Sequence, residues 1–432
     1  MSTHTPPTIK IHFRSYLLPV ITVFLLGFQL FSPYKGWMIL LTGFGGAWLL
    51  SYFWVRSLAR GLHLVREMRF GWAQVGDSIQ ERFTLRNRGW APALWIMILD
   101  HSDMPGYKIS AVTGVSSGER RHWFSRGSCA RRGLFTLGPT SLETGDPFGI
   151  YRVRLDYHAS FTMLVVPPVV HLPSIEIAPG GRAGEGRRFH RALEQTISAG
   201  SVREYIPGDD MRRLHWATTA RRGEPYMRVF EHTPASDWWI VLDMDKNVQT
   251  GEDQNATDEH GVVLAASLAS QGLRLGKAVG LVMHGQNLTW QRPSFGDVHR
   301  WEMLRALAHV RRGETPLATI LERTRGALGQ RTSLILITPS LDIAWLRAMG
   351  LLLRREIIPT VLLLDPSSFG GEGDVSFVEQ MLAKQGVTFY RIRANMLERP
   401  VNAADSPWQW QVTPMGRAVL DASQKQPWRT LA

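Results

Sequence analysis

The chain has 432 residues, 44% of them hydrophobic, which is enough for two or three domains with cores of their own. Its one cysteine, Cys129, excludes an intrachain disulfide framework and suits a reducing compartment. The formal charge of +12 calls for an anionic neighbour. With no zinc finger or aromatic-basic platform in the sequence, that neighbour is expected to be membrane lipid, and no nucleic acid is expected.

Two uncharged runs come first, Ser15–Phe31 (SYLLPVITVFLLGFQLF) and Gly36–Val55 (GWMILLTGFGGAWLLSYFWV). A helix crosses a bilayer with about 20 apolar residues and a lower limit near 17, so a two-helix transmembrane hairpin is expected over residues 15–55. Pro19 falls in the first turn, where its missing N–H does little harm. Ser32-Pro33-Tyr34-Lys35 closes the hairpin, and Trp37, Tyr52 and Trp54 fall where an interfacial belt would. Lys10, His12 and Arg14 precede the pair, and Arg56, Arg60, Arg66 and Arg69 follow it, whereas the turn holds only Lys35. The positive-inside bias then gives a multi-pass protein of a bacterial-type inner membrane, with the tail 1–14 and every soluble domain in the cytoplasm. A cleaved signal peptide is disfavoured, because no small-residue cleavage site precedes a second run that can itself span.

Residues 56–172 change to short alternating runs. Ile79, Phe83 and Leu85 alternate with Gln80, Arg82, Thr84 and Arg86, and Asn87-Arg88-Gly89 supplies a turn. Leu94–Leu99, Arg132–Pro139 and the Asp146-Pro147-Phe148-Gly149 turn continue the pattern, which predicts a small β-sandwich-like module. It holds no catalytic constellation, and a structural or adaptor role is expected.

Residues 173–235 read as a connecting segment, flexible over Pro179–Arg188 and then dense in charge. The dense part runs Arg203-Glu204-Tyr205-Ile206-Pro207-Gly208-Asp209-Asp210-Met211-Arg212-Arg213-Leu214-His215-Trp216, then Arg221 and Arg222, then Arg228 to Glu231. Pro207-Gly208 suits the centre of a type II turn. Asp209 can N-cap a short helix, and Asp210 is favoured in its first turn. Arg212 and Arg213 sit too early in that helix for its dipole, so they are expected to pair with Asp209, Asp210, Glu204 or an outside anion. Tyr226–Phe230 resumes a strand.

This stretch resembles the family called domain of unknown function 58, whose hallmark is Arg-Glu-Tyr-x-Pro-Gly-Asp-Asp-x-Arg-Arg-x-x-Trp followed by an Ala-Arg pair and Phe-Glu. Ala217 departs from it, since the family commonly has Lys after the Trp. The motif residues Arg203, Glu204, Tyr205, Pro207, Gly208, Asp209, Asp210, Arg212, Arg213, Trp216, Arg221, Arg228 and Glu231 form either a buried ion-pair and packing node or a docking or catalytic site. The resemblance implies functional association with MoxR-type AAA+ ATPases, in chaperone-like assembly or envelope homeostasis.

From residue 236 to 398 apolar runs alternate with helical patterns. Trp238–Leu242, Val279–Met283, Leu334–Ile337, Val361–Leu364 and Val387–Tyr390 are predicted strands of a parallel sheet covered on both faces. Helices are predicted over Asp258–Leu275, over Val298–Val310 and from Thr315-Pro316, giving a doubly wound α/β domain followed by a tail over residues 399–432. The resemblance implies its von Willebrand factor A type, whose working members carry Asp-x-Ser-x-Ser for Mg²⁺. Here that place reads Asp243-Met244-Asp245-Lys246-Asn247, and a later Asp is replaced near Thr338-Pro339-Ser340. Asp243, Asp245 and Asn247 are thus read as a degenerate metal site, with no cofactor expected.

No enzyme motif survives inspection. Gly272–Ala278 is one residue short of a phosphate loop and lacks its hydroxyl, and there is no Gly-x-Ser-x-Gly, His-Glu-x-x-His or Cys-x-x-Cys. The expectation is a non-enzymatic membrane scaffold that docks partner proteins. The rivals are a hydrolase built on Asp209, Asp210 and His215, and an anionic-lipid-binding module.

Overall fold

The computed structural model describes residues 6–430 except 108, 110, 173–174, 179–198, 205–215, 231–236, 330–331, 356, 358, 398–409, 413–417 and 421–428. The chain forms two compact units, one of Met1–Pro168 with Leu307–His309 and Arg399–Ala432, the other of Val169–Ala306 with Val310–Glu398.

The first unit opens with a strand, β1 (Thr8–Phe13), then helices α1 (Leu17–Phe31) and α2 (Lys35–Gly61). Strands β2 (Leu62–Met68), β3 (Trp72–Gln74), β4 (Ser78–Asn87), β5 (Ala93–Asp100) and β6 (Ala111–Val115) follow. After them come β7 (Arg120–Ser128), β8 (Gly133–Leu137), β9 (Thr140–Gly145), β10 (Tyr151–Tyr157) and β11 (Phe161–Val166). They build a five-stranded sheet in the order β1-β10-β9-β5-β6, a sheet containing β2-β4-β7, and a small sheet β3-β11-β8. The alternation in β2 sends Leu62, Leu64 and Met68 inward, where they meet Phe83 and Leu85 of β4, Ile96 and Ile98 of β5, and Val153 and Leu155 of β10 in one buried cluster. Each such side chain contributes about 1.5–3 kcal/mol by leaving water.

Three expectations change here. Residues 8–13 are not a tail: β1 pairs antiparallel with β10 from Thr8↔Asp156 to Phe13↔Tyr151. The second apolar helix does not end at Val55, because Val55, Leu58 and Ala59 are part of the β unit's core and carry the helix on to Gly61. Arg66, counted among the basic residues that flank the hairpin, is buried. It points inward from β2, 5% exposed, with Nε and Nη2 on the fully buried Glu81 at 2.9–3.2 Å and Nη1 on Asp100 at 2.8 Å and Thr140 at 3.2 Å. The Tyr107 hydroxyl also donates to Glu81. A buried cation is tolerated because every side of it is paired.

Among the described residues, only α2 is a helix long and apolar enough to cross a membrane. The 15 residues of α1 rise about 22 Å against a hydrocarbon core of about 30 Å.

The second unit begins with β12 (Ala199–Glu204), α3 (Trp216–Arg222) and β13 (Tyr226–Phe230). An α/β layer follows: β14 (Asp237–Leu242), α4 (Thr257–Arg274), β15 (Val279–His284), β16 (Leu288–Ser294) and α5 (Gly296–His309). It continues with α6 (Leu317–Thr324), β17 (Thr332–Thr338), α7 (Ile343–Leu353), β18 (Pro359–Leu364), α8 (Ser376–Lys384) and β19 (Thr388–Ile392). The six-stranded sheet has the order β16-β15-β14-β17-β18-β19, parallel except for the edge hairpin β15–β16. Helix α4 is buried along most of its length, and a Cβ on its Gly261 would come within 2.9 Å of Leu242 Cδ1, so glycine permits this close approach to the sheet. Pro316 occupies the cap position of α6 rather than its first helical position, so the helix starts at Leu317, one residue later than predicted. Beyond residue 398, β20 (Trp410–Val412) pairs with β21 (Ala418–Leu420), and β22 (Arg429–Thr430) adds to β2, so this stretch is not a featureless tail.

Candidate functional site

The strand order places a topological switch point between β14 and β17, the first strand and the one laid on its other side. Loops that leave the carboxyl ends of such strands diverge there and form the usual ligand crevice of an open α/β sheet. Register brings Leu242 beside Ile337, and the next residue, Asp243, donates its N–H to the Ile337 carbonyl at 2.9 Å.

Asp243 is 1% exposed. Its Oδ2 accepts from the Thr338 hydroxyl at 2.6 Å and its Oδ1 from the Asp245 N–H at 3.1 Å. Burial pushes the Asp243 carboxyl up to about 6, with the Asp245 carboxylate adding to the rise and the two donors opposing it. The Asp245 Oδ1 accepts from both the backbone and the side-chain nitrogen of Asn247, at 3.0 and 2.9 Å. Thr338 Oγ1 accepts from the Ser340 N–H at 2.9 Å, and the Ser340 carbonyl accepts from the Trp345 indole at 3.1 Å. Gln249 donates to the Asp243 carbonyl at 3.0 Å and accepts from the Thr257 hydroxyl at 2.7 Å.

The loop at Gly313 closes the other side. Gly313 donates to the Met244 carbonyl and accepts from the Lys246 N–H, both at 2.8 Å, and a Cβ there would collide with the Gly285 carbonyl oxygen. The next residue, Glu314, pairs with the Lys246 ammonium, so the lysine does not point at Asp243. Arg312 grips both oxygens of Asp258, at the start of α4, at 3.0 and 2.8 Å.

These residues do not fit a resident Mg²⁺. That ion wants near-octahedral hard oxygens with free lone pairs. Here both oxygens of Asp243 and one of Asp245 already accept hydrogen bonds, and Asn247 presents its amide nitrogen rather than its oxygen. No group of three or more His, Cys, Asp or Glu suited to a metal occurs among the described residues. The knot is a closed hydrogen-bonded plug under the crevice.

The rim above it is open and charged. Glu252 and Asp253 follow β14, Asp342 follows β17, and Glu372 and Asp374 follow β18. All are exposed, as is Glu314. Exposed Lys246, Arg311 and Arg393 accompany them, with Lys246 tied to Glu314. In a chain of net charge +12 this edge is locally acidic. The sequence read Asp243 and Asp245 as positions of a degenerate metal site. The structure buries both, and the rim is carried by loop acids that alternation and strand patterns do not mark.

The motif segment is partly visible. β12 and β13 pair antiparallel, with Glu204 opposite Tyr226, Arg203 opposite Met227 and Val202 opposite Arg228, so the ladder brings both ends of the motif together. Between them, α3 presents Trp216, 71% exposed, and Arg221, also exposed. Trp216 is therefore not a packing residue of a buried node. Thr219 accepts from the Tyr226 N–H at 3.0 Å and fixes the helix to the returning strand. Tyr205, Pro207, Gly208, Asp209, Asp210, Arg212, Arg213, His215 and Glu231 lie outside the described residues, and with them the expected Asp–Arg pairing and the hydrolase set.

Residues 201–381 match the family model described as protein of unknown function DUF58. The chain is 28% identical over 173 residues to the uncharacterized protein Rv1480 of Mycobacterium tuberculosis, covering 39% of this chain and 55% of that one. It is 25% identical over 261 residues to the uncharacterized protein YeaD of Bacillus subtilis, covering 58% and 62%. It thus spans little more than half the length of the curated relatives it matches. Among solved structures, an aerotolerance-related membrane protein from Bacteroides fragilis is similar at 16% identity and a TM-score of 0.27, over 39% of this chain and 94% of that one; so slight a likeness carries no argument. Over residues 201–381 the chain thus carries a DUF58 region, and it is distantly similar to Rv1480 and YeaD.

Proposed function

We propose that the chain is a non-enzymatic, membrane-anchored scaffold whose α/β unit docks a protein partner at the carboxyl edge of its sheet. The observation that carries this reading is the exposed acidic rim over a closed plug: the edge offers charge to a partner while its buried carboxylates are consumed internally. The exposed Trp216 in the family motif adds a second contact of the kind enriched in protein interfaces.

On this reading the α/β unit is von Willebrand factor A-like, and the β unit is a sandwich whose two larger sheets share one core. Helices α1 and α2 form the membrane hairpin, α2 crossing and the shorter α1 falling short of the full hydrocarbon thickness. Strand β1 before α1 and β2 after α2 belong to the same β unit, which supports a chain that leaves and returns on one side. The basic flanks then put that side, with both termini, in the cytoplasm of an inner membrane. The partner the family resemblance favours is a MoxR-type AAA+ ATPase, in chaperone-like assembly or envelope homeostasis. The full chain, solubilised from membranes in detergent and captured, should bring such an ATPase with it. Lysine at Glu252, Glu314 and Glu372 should reduce that yield. Turnover of a hydrolysable substrate that depends on Asp210 would favour the hydrolase instead.

A further inference from the structure

We propose that the foot of α2 carries a binding site for anionic phospholipid headgroups, formed by Arg86, Arg88 and Arg120 of the β unit with Arg56 and Arg60 of the helix. It rests on the membrane-anchored reading and deepens it by naming the lipid class and the residues that meet it.

The strand register assembles the site. β2 starts where α2 ends, and the ladder sets His63 opposite Arg86 and Arg86 opposite Arg120, a basic row across the helix-proximal end of three strands. Contacts with the helix fix that end in place. Arg88 donates its N–H to the Gly61 carbonyl at 2.8 Å, Ala91 donates to Ser57 Oγ at 3.3 Å, and Trp90 lies edge-on to Trp54 at 5.6 Å. The turn before β7 is tied to the same place, since Asn87 N–H reaches the Glu119 carbonyl at 3.1 Å and Ser117 reaches that of Gly89 at 2.8 Å.

All five arginines are exposed, and none makes an ion pair among the described residues. Arg56 donates to the Tyr52 hydroxyl, a neutral acceptor. The nearby acid, Glu119, accepts the Ser116 N–H at 2.7 Å within its own turn. Like charges directly opposite on neighbouring strands destabilise a sheet, so the Arg86–Arg120 pair costs stability in water, with no ion pair to offset it among the described residues. Burial, and then Arg88 and Arg86, hold the His63 imidazole below its ordinary range, as the same gathering of positive charge requires. Guanidinium forks match phosphate geometry, and clustered arginines beside a membrane helix meet the negative surface of the leaflet.

The test uses the full chain in nanodiscs of phosphatidylcholine with 0 or about 30% phosphatidylglycerol, followed by thermal unfolding and by native mass spectrometry of retained lipid. The wild type should unfold about 5 °C higher with phosphatidylglycerol and retain it in preference to phosphatidylcholine, the shift fading at high salt. Inorganic phosphate added to phosphatidylcholine discs should not reproduce the shift. Arg86→Gln/Arg88→Gln/Arg120→Gln should lose the shift, and the corresponding lysine triple variant should keep most of it. Arg126→Gln, at the far end of β7 about 20 Å away, should leave it intact. A wild type indifferent to phosphatidylglycerol, a glutamine triple variant that still responds, or equal loss in Arg126→Gln would each overturn the proposal. If the chain fails to enter discs at all, the membrane-anchored reading fails and takes the site with it.

Discussion

Ionising Asp243 should destabilise the α/β unit, and the cost can be worked from its surroundings. Its carboxyl is moved from 3.8 to about 6, and one pH unit of displacement corresponds to about 1.4 kcal/mol, so ionisation in the folded state costs about 3 kcal/mol. The folded chain holds this proton more tightly than the unfolded chain. Stability is therefore fully present below about pH 4 and is lost as pH rises to about 6, beyond which the loss is complete. Asp243→Asn cannot titrate. Whatever constant offset the amide brings, the stability of wild type minus variant should fall by about 3 kcal/mol between pH 4 and pH 7. For a unit of this size that is roughly 6–12 °C in the difference of midpoints. The buried Trp238, Trp239 and Trp345 give a fluorescence signal for this unit in the detergent-solubilised full chain. A difference that stays constant across that range would show that Asp243 is already ionised at pH 4, as a cation ligand would be, and would refute the closed plug.

Other outcomes follow from the same geometry. Millimolar Mg²⁺ should leave the unfolding midpoint unchanged; a clear rise, abolished by Asp243→Ala, would mean that a cation displaces the hydrogen bonds at Asp243 and Asp245. Arg66→Met should destabilise the β unit by about 3–5 kcal/mol, since Glu81 and Asp100 would remain buried without their cation, and a loss under about 1 kcal/mol would contradict the paired core. Reporter fusions before Thr8 and after Val401 should both report cytoplasmic ends, and periplasmic activity from either would sink the assigned orientation.

The α/β unit was legible because its strands are buried on both faces. Val279–Met283 was expected and Val279–His284 found, and Asp258–Leu275 was expected and Thr257–Arg274 found. Edge elements escaped for the same reason in reverse. β16 is half wet along its length, and β1 is exposed at every position, so Lys10 and His12 read as a cytoplasmic flank rather than as ladder residues. Helix α2 outran its apolar run because its last turns bury Val55, Leu58 and Ala59 in the β core, a tertiary contact no hydropathy window contains. At the candidate site, the Asp243 position was marked by its place after the first strand. Its burial was not, because it depends on Thr338, which lies 95 residues away in sequence and is brought near only by the crossover to β17. The acidic rim and the arginine row are likewise products of topology: each gathers residues from loops or strands that are unremarkable one at a time.

The docking claim is tested most directly by the affinity of the full chain, in nanodiscs, for a MoxR-type AAA+ ATPase of the same cell. Lysine at Glu252, Glu314 and Glu372 reverses three exposed rim charges; the Glu252 side chain makes no cap hydrogen bond, and the Glu314 change also breaks the pair with Lys246. The account predicts at least about tenfold weaker binding, close to 1.4 kcal/mol, mostly through slower association and with a flatter salt dependence. Unchanged affinity and salt dependence in the triple variant would contradict docking at the carboxyl edge of the sheet.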